Sequence, residues 1–573
     1  MRLSTLVLIG LLLLGCSRTL LLTIPQTTPS SVRTAYSDKA MVVSAHPLAT
    51  RAGVQILEAG GNAYDAAIAV QFALAVVLPA AGNIGGGGFL VGRDDTGETY
   101  ALDFRETAPA AAHRDMYLDD SGAVIQGLSR EGHLSAGVPG TVDGMVRLYD
   151  SLSALKQWDV LLQPAINLAA LGYHITAAEA AGLNYTAQRF QKYNPPSCPF
   201  LKEDGEWTEG DVLVQSDLAE TLVRIRDHGR DGFYGGLSAK YLLAEMSNAP
   251  IKNYFVRKDL EQYQAKWRTP IQCEYRGNQV TSMPPPSSGG IALCQLLEMV
   301  EPYPLRGYGL HSPDAMHLII EAERRVYADR AEHLGDADYY PVPQSGLLDQ
   351  EYLLQRMSNY DADKASLSAD VRAGDPAPAE SEETTHYSIV DAWGNAASVT
   401  TTLNGGYGSG VWVEDAGYLL NNEMDDFSAK PGAPNLYGLV GNEANSIQPG
   451  KRMLSSMTPT VVSRGGALRM VVGTPGGSTI ITSVFQTIIN VIDFDMTMTE
   501  SVQAGRFHHQ WTPDEVYYER GKVPEDSLYL LGQRGHHVHH RGSIGRVDAI
   551  LVTDSGALEG AADPRGDDHA QGL

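Results

Sequence analysis

The stretch EETTHYSIVDAWGNAASVTTTLN, Glu382–Asn404, holds five threonines, and it reads as two strands folded about a turn at Ala392-Trp393-Gly394. With the turn centred on Trp393, Tyr387 faces Val399, Thr385 faces Thr401 and Thr384 faces Thr402. Odd positions then carry Tyr387, Ile389, Val399 and Leu403, an apolar face. Even positions carry Thr384, His386, Ser388, Ser398, Thr400 and Thr402, a face of mostly small polar groups. A slip of one residue would mix the two faces, which burial of either face resists. The pattern therefore predicts a hairpin with two hydroxyls, Thr384 and Thr402, side by side at its open end. Spacing alone is satisfied by a threonine ladder that stabilises a sheet. The other reading is a strand whose first residue is set free to act as a nucleophile.

The segment before the hairpin bears on that choice. Ser366–Glu383, SLSADVRAGDPAPAESEE, is rich in Ala, Asp, Glu, Pro and Ser and poor in apolar residues. Such a segment buries little and is expected to be mobile and exposed. It ends directly before Thr384. A domain linker would have the same composition, but the residues after it read as strand rather than fresh tether. Further upstream, Pro47 suits a first helical turn, Gly60-Gly61-Asn62 suits a stop, and Ala63–Leu78 reads as an alanine-rich buried helix. Segments 160–172, 213–227 and 312–334 carry helical periodicity, and 469–473 and 547–553 read as short strands.

Of the 573 residues, 43 are Lys or Arg and 68 are Asp or Glu, a formal charge of −25. That balance argues against nucleic acid as the main partner, because phosphate recognition needs a basic surface. The length suggests two to four domains or one large α/β unit. The first residues, MRLSTLVLIGLLLLGCSR, place one Arg before a short apolar run that ends in Gly15-Cys16. The run is short for a membrane span and suits a secretory signal. Leu13-Leu14-Gly15-Cys16 is similar to a bacterial lipobox, which would make Cys16 the lipidated first residue of an exported, outer-membrane-anchored periplasmic protein; an ordinary cleaved signal is the alternative. Residues 16–40 are then expected to be a tether. Cys198, Cys273 and Cys294 remain, so at most one disulfide can form within the chain. No Cys or His spacing suggests zinc, and GHHVHHRG, Gly535–Gly542, reads as a surface hairpin. No GxSxG elbow and no GK[ST] loop occur.

Longer strings decide between the two readings of the hairpin. ETTHYS, then TLN, LLNNEMDDFSAKPG (Leu419–Gly432), SSMTP (Ser455–Pro459) and GTPGGS (Gly473–Ser478) resemble the γ-glutamyltranspeptidase family. GNIGGGGF (from Gly82), DFRETAP (Asp103–Pro109) and GRFHHQW (Gly505–Trp511) belong to the same resemblance, which spans roughly Ala40 to Arg565. It implies an α/β fold, the four-layer αββα sandwich of N-terminal-nucleophile hydrolases, with two subunits from one precursor. The cut would fall between Glu383 and Thr384, leaving a large subunit that ends in the 366–383 segment and a small catalytic subunit, 384–573.

The resemblance also implies roles. Thr384 would be the nucleophile, Thr402 its orienting partner, and Gly476 and Gly477 the backbone donors to the oxyanion. Arg105 would take an α-carboxylate, with Ser455 and Ser456 as further donors, while Asn404, Glu423 and Asp426 would hold an α-ammonium. Many bacterial relatives carry Gln where this chain has Glu423; either side chain accepts from an ammonium. Tyr437, in a lid-like stretch Pro431–Asn442, would close over the site and contact Asn404. No cofactor and no metal are implied. Glutathione and similar γ-glutamyl donors, with amino-acid or peptide acceptors, are the implied small-molecule partners. An acylase acting on glutaryl or cephalosporin-type amides is the alternative enzyme, and a lipid-anchored, non-catalytic binding protein the alternative of another class.

Overall fold

The hairpin forms in the register that its alternation dictates. In the computed structural model, which describes residues 27–374, 385–430 and 432–573, Thr385 pairs with Thr401, His386 with Thr400 and Tyr387 with Val399. Both faces are buried, each against a different layer. Tyr387 on the apolar face packs towards the helix Ala63–Val77 and donates its hydroxyl to the carbonyl of Ala67. The small polar face meets a second sheet, where Ser388 donates to the carbonyl of Asp548 and Ser398 to that of Val472. Short hydroxyl side chains let two sheets approach while each hydroxyl finds an acceptor, as burial of a polar group requires.

The hairpin is the centre of a seven-stranded antiparallel sheet, in the spatial order 569–572, 41–44, 385–390, 396–402, 87–93, 99–103, 266–268. The facing sheet, also seven-stranded and antiparallel, runs 34–37, 558–561, 548–552, 467–473, 460–464, 278–282, 271–275. Helices Pro47–Glu58 and Ala63–Val77 cover the first sheet; Gly289–Val300 and Thr479–Ile492 cover the second. The result is an αββα sandwich. Residues from both sides of Thr384 contribute to both sheets, so each sheet is shared by the two halves of the chain.

Local signals place the covering helices. His46 caps the first by accepting from the N–H of Leu48, with Pro47 in its first turn. Asn62 and Asp65 form a reciprocal capping box on the second. No described helix is long and apolar enough to cross a membrane. Gly86 is required where it stands, because a Cβ there would lie 2.1 Å from the carbonyl oxygen of Thr402.

Three expectations need correction. The proposed tether 16–40 includes an ordered strand, Thr34–Ser37, at the edge of the second sheet. The front of the 366–383 segment is docked: Trp511 donates its indole N–H to the carbonyls of Ser368 and Val371, and the Ser368 N–H reaches Asp514 at 2.7 Å. Backbone groups hold it, so its poor apolar content did not reveal the docking. Third, GHHVHHRG is not a hairpin. Val538–Arg541 pairs in parallel with Val516–Glu519 after an intervening helix, and His536 is buried against His317. Cys273 and Cys294 form a disulfide between a strand and a helix of the second sheet's side, leaving Cys198 free and buried.

Candidate active site

The open end of the hairpin gathers the predicted side chains that the structure describes. Glu383 and Thr384, like Cys16, lie outside the described residues. Thr402 ends its strand fully buried; its Oγ1 accepts from the Asn404 N–H at 2.6 Å, and its carbonyl accepts from Asn83 at 2.8 Å. Asn404 then turns the chain with φ 71°, a left-handed conformation that Asn tolerates better than most residues. Its amide donates to the carbonyl of Asn422 at 3.0 Å, which fixes its Oδ1 towards Tyr437; the Tyr437 hydroxyl donates to that oxygen at 3.0 Å. Tyr437 is held in turn by its neighbours. Leu436 N–H bonds Asp425, and Gln510 donates to the Tyr437 carbonyl.

Arg105 lies below this layer, fully buried. Its guanidinium contacts Glu423 at 2.6 Å and Asp426 at 2.7 Å, with Glu106 3.7 Å away. It also donates to the carbonyls of Met453 and Leu454, the residues just before Ser455. The expected carboxylate binder and the two expected ammonium acceptors thus form one cluster. One cation faces three carboxylates in a fully buried site, and burial pushes the Glu423 carboxyl above its ordinary range against the pull of Arg105. Ser455 and Ser456 are buried beside it. Ser455 Oγ accepts from the Met457 N–H at 3.1 Å, and Ser456 Oγ accepts from Arg330 at 2.9 Å.

Gly476 and Gly477 sit between the strand Ala467–Gly473 and the helix Thr479–Ile492. Their φ angles are 143° and 61°, and a Cβ on Gly476 would lie 2.5 Å from Thr479 Oγ1. Their carbonyls are used by the N–H groups of Thr479 and Ile480. Among the described residues neither glycine N–H meets an acceptor. Two backbone donors at a helix start suit a developing anion. Gly476, Asn422 and Tyr437 share the wall of a cleft of about 1170 Å³ that opens to solvent.

Sequence reasoning missed several neighbours. Arg330, on the buried helix Pro313–His333, orients Ser456 and also donates to Ser288. Asn421 ties the site to the glycine run, donating to the carbonyl of Gly85 and accepting from the Gly137 N–H. Asn421 stood inside a quoted string and was readable there. Nothing near Arg330 marks it, since its partners are distant in sequence.

Comparison with known proteins identifies the family. Residues 49–573 match the model of the gamma-glutamyltranspeptidase family. A glutathione hydrolase proenzyme of Escherichia coli (strain K12) is 46% identical over 528 residues, covering 92% of this chain and 90% of the relative. Among solved structures, a cephalosporin acylase from Bacillus halodurans superposes with a TM-score of 0.84 at 26% identity, covering 95% of this chain and 98% of that one. The Helicobacter pylori gamma-glutamyltranspeptidase gives 0.56 at 43% identity, covering 58% of this chain and 94% of that chain. The fold, the buried charge cluster and the full-length match lead to one conclusion: this chain belongs to the gamma-glutamyltranspeptidase family.

Proposed function

We propose that the protein is a proenzyme that cuts itself between Glu383 and Thr384. The mature enzyme then transfers γ-glutamyl groups from glutathione and related amides to water or to amino acids and peptides. The observation that carries the reading is the buried set of Arg105, Glu423 and Asp426 beside the open end of the hairpin. It offers a planar cation for an α-carboxylate and two carboxylates for an α-ammonium. A glutaryl group has no ammonium to use the second half of that set.

The chemistry follows from the cut. The structure pairs Thr385 with Thr401; the sequence alternation extends that pairing to Thr384 and Thr402, whose hydroxyl orients the nucleophile. Cleavage turns the amide nitrogen of Thr384 into an α-amine with a pKa near ~7.7–8.0. That amine accepts the Thr384 hydroxyl proton as the oxygen attacks the γ-carbonyl. Negative charge on the former carbonyl oxygen is met by the N–H groups of Gly476 and Gly477. The C–N bond breaks, the amine returns the proton to the leaving nitrogen, and a γ-glutamyl ester remains on Thr384. Water or an incoming amine attacks that ester, giving glutamate or a new γ-glutamyl amide. Asn404, Glu423 and Asp426 hold the substrate ammonium; Arg105, Ser455 and Ser456 hold its carboxylate; Tyr437 covers both. No step calls for a cofactor.

Large and small subunits stay together as a heterodimer because each sheet contains strands from both. Export is supported by the disulfide, which persists in oxidising compartments. We place the protein in the periplasm, anchored through Cys16. The enzymatic reading is tested on denaturing gels and with a γ-glutamyl anilide, run beside a glutaryl anilide. Wild-type protein should give two bands and release the aniline from the γ-glutamyl donor only. Thr384→Ala should stay as one band and release none. A two-band, active Thr384→Ala would sink the proposal, and preference for the glutaryl donor would favour the acylase reading.

A further inference from the structure

The cleft above Tyr437 and Gly476 carries charges that the γ-glutamyl pocket does not use. Its wall includes Arg130, Arg189, Lys192 and Arg541 against one carboxylate, Glu131. The chain as a whole has a formal charge of −25. A cationic wall on so acidic a protein points to an anionic ligand. Two of the cations are already engaged: Arg130 lies 3.5 Å from Asp425, and Lys192 lies 3.1 Å from Glu131. Arg189 and Arg541 form no ion pair with a described residue. Arg189 is nonetheless held in place. It donates to the carbonyl of Gly406, and its Nε is buried without an acceptor, where a Cβ on Gly410 would come within 3.1 Å. Arg541 ends its strand with the guanidinium 5.9 Å from the centre of the Tyr517 ring.

Arg105 is fully buried, whereas Tyr437 and Gly476 line this cleft, so on the reading above whatever is attached beyond the γ-amide runs outward past Gly476 into it. In glutathione that remainder is a dipeptide ending in a free carboxylate. Two extended residues reach about 7 Å, well within a cleft of about 1170 Å³. We propose that the cleft is the subsite for the peptide that leaves with the amine or arrives as acceptor, and that Arg189 and Arg541 recognise its free C-terminal carboxylate. The inference rests on the γ-glutamyl reading above and adds the side of specificity that the buried pocket does not address.

The test compares kcat/KM for glutathione and for glutathione whose terminal carboxylate is converted to the amide. Wild-type enzyme should favour the carboxylate form by about tenfold, the factor given by ~1.4 kcal/mol. The preference should shrink with added salt, as exposed charge pairs are screened. In Arg189→Gln, in Arg541→Gln and most in the double variant, the ratio should fall towards one. Arg189→Lys should retain part of it. The ratio is read within each variant, so a general loss of activity does not mimic the effect. A wild-type ratio near one, or a ratio preserved in the double variant, would overturn the assignment. Wild-type protein inert towards a γ-glutamyl anilide would instead overturn the underlying reading, and the subsite with it.

Discussion

Arg105 is one positive charge among three buried carboxylates, and its replacement separates structure from binding. Arg105→Gln leaves Glu423 and Asp426 buried without a cation. Breaking such a set typically costs about 3–5 kcal/mol, so a lowered melting temperature is expected along with lost activity. Asp426→Asn keeps the volume and leaves Arg105 paired with Glu423 at 2.6 Å. Its effect should appear as a KM raised about tenfold or more, with the melting temperature little changed, because an ammonium acceptor loses its charge. Equal loss of stability in both variants would mean that the cluster is structural. At Gly476, φ 143° and a neighbour 2.5 Å from any Cβ make the backbone specific to glycine. Gly476→Ala should lower kcat by about 10²–10³ if its N–H meets the oxyanion, with two-band processing scored separately on gels. Residues of this kind were legible where the sequence kept them in short strings. Thr402 and Asn404 stand two residues apart, and Glu423 and Asp426 three apart. Arg189, Arg330 and Arg541 were not legible, because each sits among ordinary surface-like charges and gains its meaning only from chain segments far away.

Elements show the same division. The hairpin was readable because alternation has period two and a register slip would expose the wrong face. Helix Pro313–His333 was readable as a helix, yet not as a buried one. Its Glu321, Glu323, Arg324, Arg325, Asp329 and Arg330 are all buried, and polar composition normally signals a solvent face. Their partners come from other segments: Arg325 donates to Asn359, the Ser366 N–H bonds Glu321, and Arg324 pairs with Asp514. That network fastens 359–374 to the helix. Trp511→Phe removes the indole donor to Ser368 and Val371. It should raise hydrogen exchange and proteolytic cutting in 366–374 while leaving the sheets protected; unchanged exchange there would show that Asp514, which accepts from the Ser368 N–H, and Asp329, which accepts from the Gly374 N–H, suffice. The disulfide is a separable element. Cys273 and Cys294 close a loop of sequence separation 21. The chain-entropy model assigns such a loop about 3 kcal/mol, so Cys294→Ser should lower the melting temperature, and reductant should move wild-type protein in the same direction but not the variant.

At the scale of the whole molecule, the stabilising charges and the buried histidines set one pH dependence. His386, His508 and His536 are buried and held neutral, each pushed down to about 3, and His333 and His509 to about 4, in every case chiefly by burial. An unfolded histidine titrates near ~6.5. Between these values the unfolded chain binds more protons than the folded one, so stability rises with pH through that window. In the direction of acid, the contribution is complete above about pH 6.5 and is lost progressively as the pH falls towards 4 and then 3. Glu321 adds a second, lower step. Its carboxyl is lowered to about 2 by Arg324 and Arg325, against the opposing effect of burial. That contribution is present above the ordinary glutamate range near ~4.3 and is lost as the pH falls from there to about 2. The histidines should therefore pull the melting temperature down from pH 7 to pH 4.5, opposed in part by buried carboxyls such as Glu323 and Glu423, which burial raises above their ordinary range. His386 tests the cause. Its ring lies between Thr400 Oγ1 and Ser388 Oγ, each at 3.0 Å, where Gly473 leaves room for it. His386→Gln retains a donor and an acceptor but no titration. It should lower the melting temperature at pH 7, where a smaller side chain fills the space, and flatten the slope between pH 6.5 and 4.5. Equal slopes for wild type and His386→Gln in that window would show that His386 gains its proton in the folded state, and that water reaches the space between the two sheets.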